Sequence, residues 1–434
     1  MLFKSIMFIR GDFLDKAQVE RLLNANLTKT MGCTDIGVVG YIASIGAYIL
    51  RNEKIKSVKL VMSEELYKNS VNVGVPGLKK SGLDKALALG LLLKNPKQKL
   101  SVFESVTNDD IDKIEALLSD IEVDISYKKY LHTVLYEELT ITSCEGDSVT
   151  IIIKDAYDNV ESVIRNGEKL DDYEKDALIG RVTKYNINTY DEILEFVENG
   201  DFSGLDYLFH TAKLQYESAR DEIKIEGGNY LVEDLRDAQK DCLYDLSNFL
   251  RKHITVPSRK RMTGDIYTVY GVAGSGNLGI GTLITPMFLS HALKLPKREQ
   301  EKLIVLSFLT SVYVKQEMNI VTVLCGTGHA TGCSAAAVTA YIQNGNGDQI
   351  KESINLYLST SMGFVCDGAK VSCTYKVSFA AMNGMISAKM VLDGNHVCDG
   401  TGLNKVDVDK TIKNLGKLNN EILNSANKGI IDLI

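Results

Sequence analysis

A basic excess is the first thing this chain lacks. Its 434 residues carry 49 Lys and Arg against 56 Asp and Glu, a net charge of −7, and no dense basic run occurs. A nucleic-acid partner needs a positive stripe to neutralise phosphates, so that class is set aside. Long apolar runs are missing too. The longest, Ile36–Leu50, has 15 residues and is too short to span a bilayer as a helix. The opening stretch MLFKSIMFIRGDFLD is interrupted by Lys4 and Arg10 and has no small-residue cleavage site, so it does not read as a signal peptide. A cytoplasmic protein without a membrane partner is expected. The eight cysteines show no C-x-x-C or C-x-x-H spacing, which disfavours a structural zinc site. No internal repeat of solenoid length is evident.

What is present is ordinary globular composition, with 45% hydrophobic and 24% charged residues, enough for a large core. Prolines number only five, and Ala, Leu and Ile recur at helical spacing, so most of the chain reads as helix. Helices are expected at Gln18–Asn26, Asp35–Arg51, Leu83–Leu93 and Asp109–Leu118, with a short strand at Ser57–Met62. The stretch 67–77 reads as loop plus strand. From about 100 to 170 the pattern alternates or becomes β-branched: 100–106, 123–129, 133–143 and 148–156 read as strands, with Glu145-Gly146-Asp147 as a hairpin turn. The fold class is therefore α+β. A mainly helical body (1–99 and 200–434) carries a smaller strand-rich α+β subdomain (100–199). Beyond residue 256 the chain is rich in small residues, with glycine-rich breaks at 271–281, 326–332 and 345–347.

In a reducing compartment such cysteines are core residues, metal ligands or nucleophiles rather than disulfides. Five of them fall between 325 and 398. Four segments stand out: Met31-Gly32-Cys33-Thr34-Asp35; the loop Gly271–Gly279; Leu324-Cys325-Gly326 running on to His329 and Cys333; and Cys366-Asp367-Gly368-Ala369-Lys370 with Cys373. Thr34 or Asp35 can cap the following helix, placing the Cys33 sulfur near a positive helix end that favours thiolate. The loop 271–279 can present backbone N–H groups to an anion. It is neither a P-loop nor a dinucleotide fingerprint, since no Gly-Lys-Ser/Thr and no βαβ pattern accompanies it. Thiols on separate loops suit an iron–sulfur cluster assembled by the tertiary fold, and three ligands leave one iron free.

Taken in order, these segments resemble the L-cysteine desulfidase family, related to the α chain of iron–sulfur L-serine dehydratases. The resemblance rests on Cys33-Thr34-Asp35-Ile36, Lys68-Asn69 with Val73 and Pro76-Gly77, Arg261-Met262, and Gly274-Ser275-Gly276-Asn277-Leu278-Gly279. Leu324-Cys325-Gly326 and Cys366 to Lys370 with Cys373 complete it. It implies a [4Fe-4S] cluster held by Cys33, Cys325 and Cys366, with Cys333 competing for the place of Cys325. It also implies β-elimination from a small amino acid without PLP, the open iron acting as Lewis acid on the leaving group. L-cysteine would give pyruvate, ammonia and hydrogen sulfide. Departures from the family pattern are Asp35-Ile36 for Glu-Pro, Leu278, and His329. They leave room for a dehydratase of serine or another small hydroxy or amino acid, or for a non-catalytic cluster-binding sensor. Ser275, Asn277, Lys68 and Asn69 are the expected carboxylate binders. Lys370, which a helix would place on one face with Cys366, is expected to stabilise thiolate or substrate. His329, whose type titrates near neutrality, is the expected base. A homo-oligomer is a possible assembly.

Overall fold

The computed structural model describes residues 14–130, 133–170, 187–227, 231–235, 242–395 and 400–434. The opening stretch up to residue 13, His132, His396 and Cys398 lie outside the described residues. Helix α1 (Lys16–Asn26) starts at a capping box between Asp15 and Gln18 and leads into strand β1 (Leu27–Met31). Helix α2 (Thr34–Leu50) holds the longest apolar run and is buried on nearly every side. Such a helix must be covered all round. One cover is α4 (Leu83–Leu93), reached through β2 (Ile55–Ser63), α3 (Glu64–Ser70), β3 (Gly74–Val75) and β4 (Lys80–Ser81). Glycine at position 90 is what lets α4 lie so close, because a Cβ there would stand 2.4 Å from the Gly40 carbonyl oxygen.

The other cover of α2 is a sheet. After a 3-10 segment (Pro96–Ser105) and helix α5 (Asn108–Asp120) come β5 (Glu122–Lys128), β6 (Tyr136–Ser143), β7 (Ser148–Lys154), β8 (Val160–Arg165) and β9 (Glu168–Lys169). The six-stranded order is β5-β2-β6-β7-β8-β9, with β2 parallel to β5 and every other pair antiparallel. Alternate residues of β6 and β7 (Leu139, Ile141, Val149, Ile151, Ile153) are buried beneath α2.

Helices α6 (Tyr190–Asn199), α7 (Asp206–Ile225) and α8 (Leu243–Thr263) follow, then strand β10 (Thr268–Val272). Next come α9 (Gly276–Ala292), α10 (Lys297–Glu317), α11 (Gly326–Ile342), α12 (Gly347–Ser361), α13 (Cys373–Leu392), α14 (Val408–Lys417) and α15 (Ala426–Ile431). Small residues bring α11 and α13 together: a Cβ on Gly384 would sit 2.3 Å from the Gly332 carbonyl.

The α+β class and the helical majority are as read from the sequence; the boundaries differ. One core runs from Met31 to Val163 with Met262 and Val321, and the other gathers Leu14–Leu27 and residues from Ile187 onward. Residues of α2 share the first core with the sheet strands, because α2 lies on the sheet. Segment 100–106, expected as a strand, belongs to the 3-10 stretch. The glycines at 276–281 and 326–332, expected as breaks, begin or continue helices. Lys68-Asn69 sits at the end of α3 rather than in a loop.

Candidate functional site

Two backbone pairings assemble one cavity from distant segments. Antiparallel pairing of β1 with β10 (Leu27 opposite Val272, Met31 opposite Thr268) ties the strand before Cys33 to the strand before α9, and Arg261 links the Gly32 carbonyl to Asn277. An isolated bridge between Leu324 and Val365 ties together the segments of the other two thiols. The Cys325 amide donates to the Phe364 carbonyl (2.6 Å) and the Cys366 amide to the Val323 carbonyl (2.7 Å). The cavity, about 100 Å³, is lined by Cys33, Cys325, Cys366 and also Cys373. Cys333 is absent from its wall and lies fully buried in the helical core. The thiols are free, and no disulfide joins them.

Helix geometry gives the cavity its polarity. Cys33 is the N-cap of α2, Ser275 of α9 and Cys325 of α11, while Cys373 opens α13. Four helix amino ends therefore border one small space, and each favours negative charge. The Ser275 hydroxyl accepts from the Leu278 amide (3.2 Å) and bonds Thr327 (3.0 Å). Burial works against the thiolates and pushes the Cys33, Cys325 and Cys373 thiols up. Cys366 adds to that effect on both Cys325 and Cys373, so these three sulfurs feel one another. Cys33 instead answers to Asp35, to whose Oδ2 its Sγ donates (3.3 Å), and to Arg261.

Several functional groups in this wall were not assigned a role from the sequence. Asp35, buried, accepts at Oδ1 from the Tyr157 hydroxyl (2.8 Å). Burial raises its pKa, opposed by the bonds from Tyr157, Cys33 and Asn69. Arg261 is 1% exposed and cationic, its pKa drawn down to about 10 by burial. Lys315 is held down to about 8 by burial, against the pull of Cys325, Cys366 and Asp35. Arg261-Met262 was visible as a motif; Lys315, a lone cation near the end of an apolar helix, carried no signal beyond that oddity.

Asn69, Ser275 and Asn277 line the cavity as expected. Asn69 lies 3.7 Å from the Cys366 sulfur. Three other expected site residues do not reach it. Lys68 is fully buried behind the wall, donating to the Thr322 carbonyl (3.0 Å) and Asn427 Oδ1 (2.8 Å). Lys370 turns back onto Asp367, and Cys366–Lys370 is not helical, so the expected shared face does not exist. His329 is fully buried within α11, its ring nitrogens facing the carbonyls of Cys325 (2.9 Å) and Ser361 (2.8 Å). Burial outweighs both carbonyls and pulls its pKa down to about 4, and no ring nitrogen is open to the cavity. It cannot serve as the base where it stands.

Comparison with known proteins decides the lineage. The family model described as "Serine dehydratase alpha chain" matches residues 97–432. The chain belongs to the serine dehydratase alpha chain family. The matched part includes Cys325, Cys366, Cys373, Arg261, Lys315, Ser275 and Asn277, whereas Cys33, Asp35 and Asn69 precede it. Full-length relatives include a UPF0597 protein of Fervidobacterium nodosum, 28% identical over 428 residues, covering 98% of each chain. One from Caldanaerobacter subterraneus subsp. tengcongensis is 27% identical and covers 95% of this chain and 97% of its own. One from Thermosipho africanus is 29% identical and covers 93% and 96%. Among the described residues no helix is long and apolar enough to cross a membrane.

Proposed function

We propose that this serine dehydratase alpha chain family member is an iron–sulfur-dependent lyase that removes the β-substituent and the amino group of a small α-amino acid. L-cysteine, giving pyruvate, ammonia and hydrogen sulfide, is the preferred substrate, with L-serine as the same-chemistry alternative. The observation that carries the reading is the cavity itself: four free thiols and two buried cations at four helix amino ends.

The donor set fits a cluster better than a single ion. Among the described residues no group of three His, Cys, Asp or Glu side chains could hold one metal ion. The thiols are spread around a cavity instead, as the ligands of a multi-iron core must be. Buried thiols with raised pKa values stay protonated unless iron displaces the proton, and Arg261 and Lys315 offset the negative charge that results. Cys325 and Cys366 would be two of the ligands, since Cys333, the competitor of Cys325, is absent from the cavity wall. For the third place the resemblance implied Cys33; we favour Cys373, because Cys325, Cys366 and Cys373 act on one another electrostatically and all fall within the family-matched segment. When bound, the cluster would supply a Lewis-acidic iron for the departing sulfide or hydroxide.

The chain's own residues then divide the remaining work. Cys33 Sγ and Asp35, bonded to each other, form a pair able to hold or move the substrate's α-proton. Tyr157 fixes Asp35 through Oδ1. Lys315 Nζ, anchored to the Asn319 carbonyl (3.0 Å), faces the Cys325 and Cys366 sulfurs as their counter-charge. Asn277 and Ser275 present the amino end of α9 to the substrate.

The test is anaerobic reconstitution with iron and sulfide, followed by assay of L-cysteine and L-serine for keto acid and sulfide. Pyruvate and sulfide from cysteine support the full reading. Turnover of serine alone would shift the substrate but keep the chemistry, and a reconstituted cluster with no turnover of either would favour the sensor.

A further inference from the structure

Arg261 and Lys315 are buried in the cavity wall, and among the described residues neither bonds a carboxylate. Taking a cation out of water without an anionic partner is expensive, and such charges are ordinarily paired. Lys315 has an evident counterpart in the thiols of Cys325 and Cys366. Arg261 lies apart from that pair; Cys33, Asp35 and Cys373 act on it through space, but it hydrogen-bonds none of them. Its Nη1 donates to Asn277 Oδ1 (2.5 Å) and its Nη2 to the Gly32 carbonyl, both neutral acceptors. Its Nε is buried and has no acceptor among the described residues.

The guanidinium lies flat against the amino end of α9. A Cβ on Gly276, the first residue of that helix, would stand 2.3 Å from Nη2 and 2.4 Å from Cζ, so only glycine admits the arginine there. The amides of Gly276 and Asn277 lie ahead of the first intrahelical bond, which runs from the Gly279 amide to the Ser275 carbonyl (3.0 Å). A planar donor fork beside a helix amino end is the arrangement that suits a carboxylate.

We propose that Arg261 and the amino end of α9 form the subsite for the α-carboxylate of the substrate, so that the enzyme accepts free amino acids and rejects their amides and esters. This rests on the reading of the cavity as an amino-acid site, and it names the residue that selects the substrate class. The hydrogen-bonded anion that Arg261 lacks among the described residues is supplied by the ligand. Gly276 is conformationally unremarkable but sterically required, because its missing side chain is the seat of the guanidinium.

The inference is tested by calorimetric binding of L-alanine and L-alaninamide to the full chain, reconstituted and iron-free. Neither compound carries a leaving group, and the amide lacks only the carboxylate. The expected result is binding of L-alanine at least ~10-fold tighter than the amide in the wild type, with that preference erased in Arg261→Gln. Should Arg261→Gln fail to fold by circular dichroism, Gly276→Ala takes its place. It keeps the charge but displaces the guanidinium, and the preference should likewise shrink. Equal binding of the two compounds by wild type, no binding of L-alanine, or a preference intact in the folded variant would overturn the proposal. Iron retention is read separately. A chain that prefers L-alanine yet holds no iron would sink the lyase reading and leave the carboxylate subsite standing.

Discussion

The cavity's two walls come from different stretches of the chain and carry opposite chemistry. The wall built from residues 33–157 offers acids: Asp35 and Tyr157, with Glu137 fully buried behind them, both its carboxyl oxygens without a partner. Burial, and then Asp35, push Glu137 well up, which favours its neutral form. The wall built from residues 261–377 offers the cations Arg261 and Lys315 and three of the four thiols. Positive charge is thus placed where iron-bound thiolate and substrate carboxylate would accumulate, and proton-handling groups stand opposite. The charge separation exists before any ligand arrives, which is the kind of preorganisation that electrostatic catalysis relies on.

The comparison breaks most visibly if the basic wall loses its cation. Lys315→Met should lower turnover by about 10²- to 10⁴-fold, the range seen when a positioned charged or proton-handling group is removed. A loss under threefold in steady-state assays would mean that the thiols need no counter-charge. A smaller effect separates chemistry from packing behind that same wall. His329 and His253 are both drawn down to about 4 by burial, from the ordinary histidine value of about 6.5. The unfolded chain therefore binds more protons between those values, and stability is lost as pH falls through them. Urea unfolding of the iron-free protein at about pH 7 and about pH 4.5 should show His329→Asn removing roughly 2–3 kcal/mol of that pH dependence. Direct participation of His329 would appear instead as a shifted pH–rate profile.

Next comes the close approach of α11 and α13, which sets where Cys325 and Cys373 begin their helices. Gly384→Ala should cost about 1–3 kcal/mol in thermal or chemical unfolding, since its Cβ would press on the Gly332 carbonyl. The least effect is expected on the acid wall. Tyr157→Phe removes one bond to a buried carboxylate and should lower turnover by about 10-fold while sparing iron content. Equal loss of iron and turnover would mean that Tyr157 holds the fold together rather than Asp35.

Much of this molecule was legible in its sequence where local rules suffice. Leu83–Leu93 was read to the residue, and α2, β6 and β7 to within a few residues, because apolar periodicity reflects which face is buried. Small-residue segments misled in one direction: glycines at 276 and 326 looked like breaks, but they open helices that must approach Arg261 and Lys315 closely. Of the residues singled out through motifs, Cys33, Cys325, Cys366, Asn69, Ser275 and Asn277 line the cavity. His329 and Lys370 were misread because four residues' separation from a cysteine says nothing of which way the side chain turns. Lys68 was misread because the motif that contains it serves a buried contact with Asn427. Lys315 and Tyr157 became visible only when tertiary packing brought them to the cavity, whereas Cys373 stood in a motif without a role assigned to it.

The most direct measurement is iron and sulfide content, with visible charge-transfer absorption, of the anaerobically reconstituted chain and its four single Cys→Ser variants at 33, 325, 366 and 373. The account expects wild type and Cys33→Ser to retain the cluster, with Cys33→Ser losing turnover, while Cys325→Ser, Cys366→Ser and Cys373→Ser lose the cluster. A reconstituted wild type without iron or absorption would contradict it, and retention by Cys373→Ser with loss by Cys33→Ser would return the third ligand to Cys33.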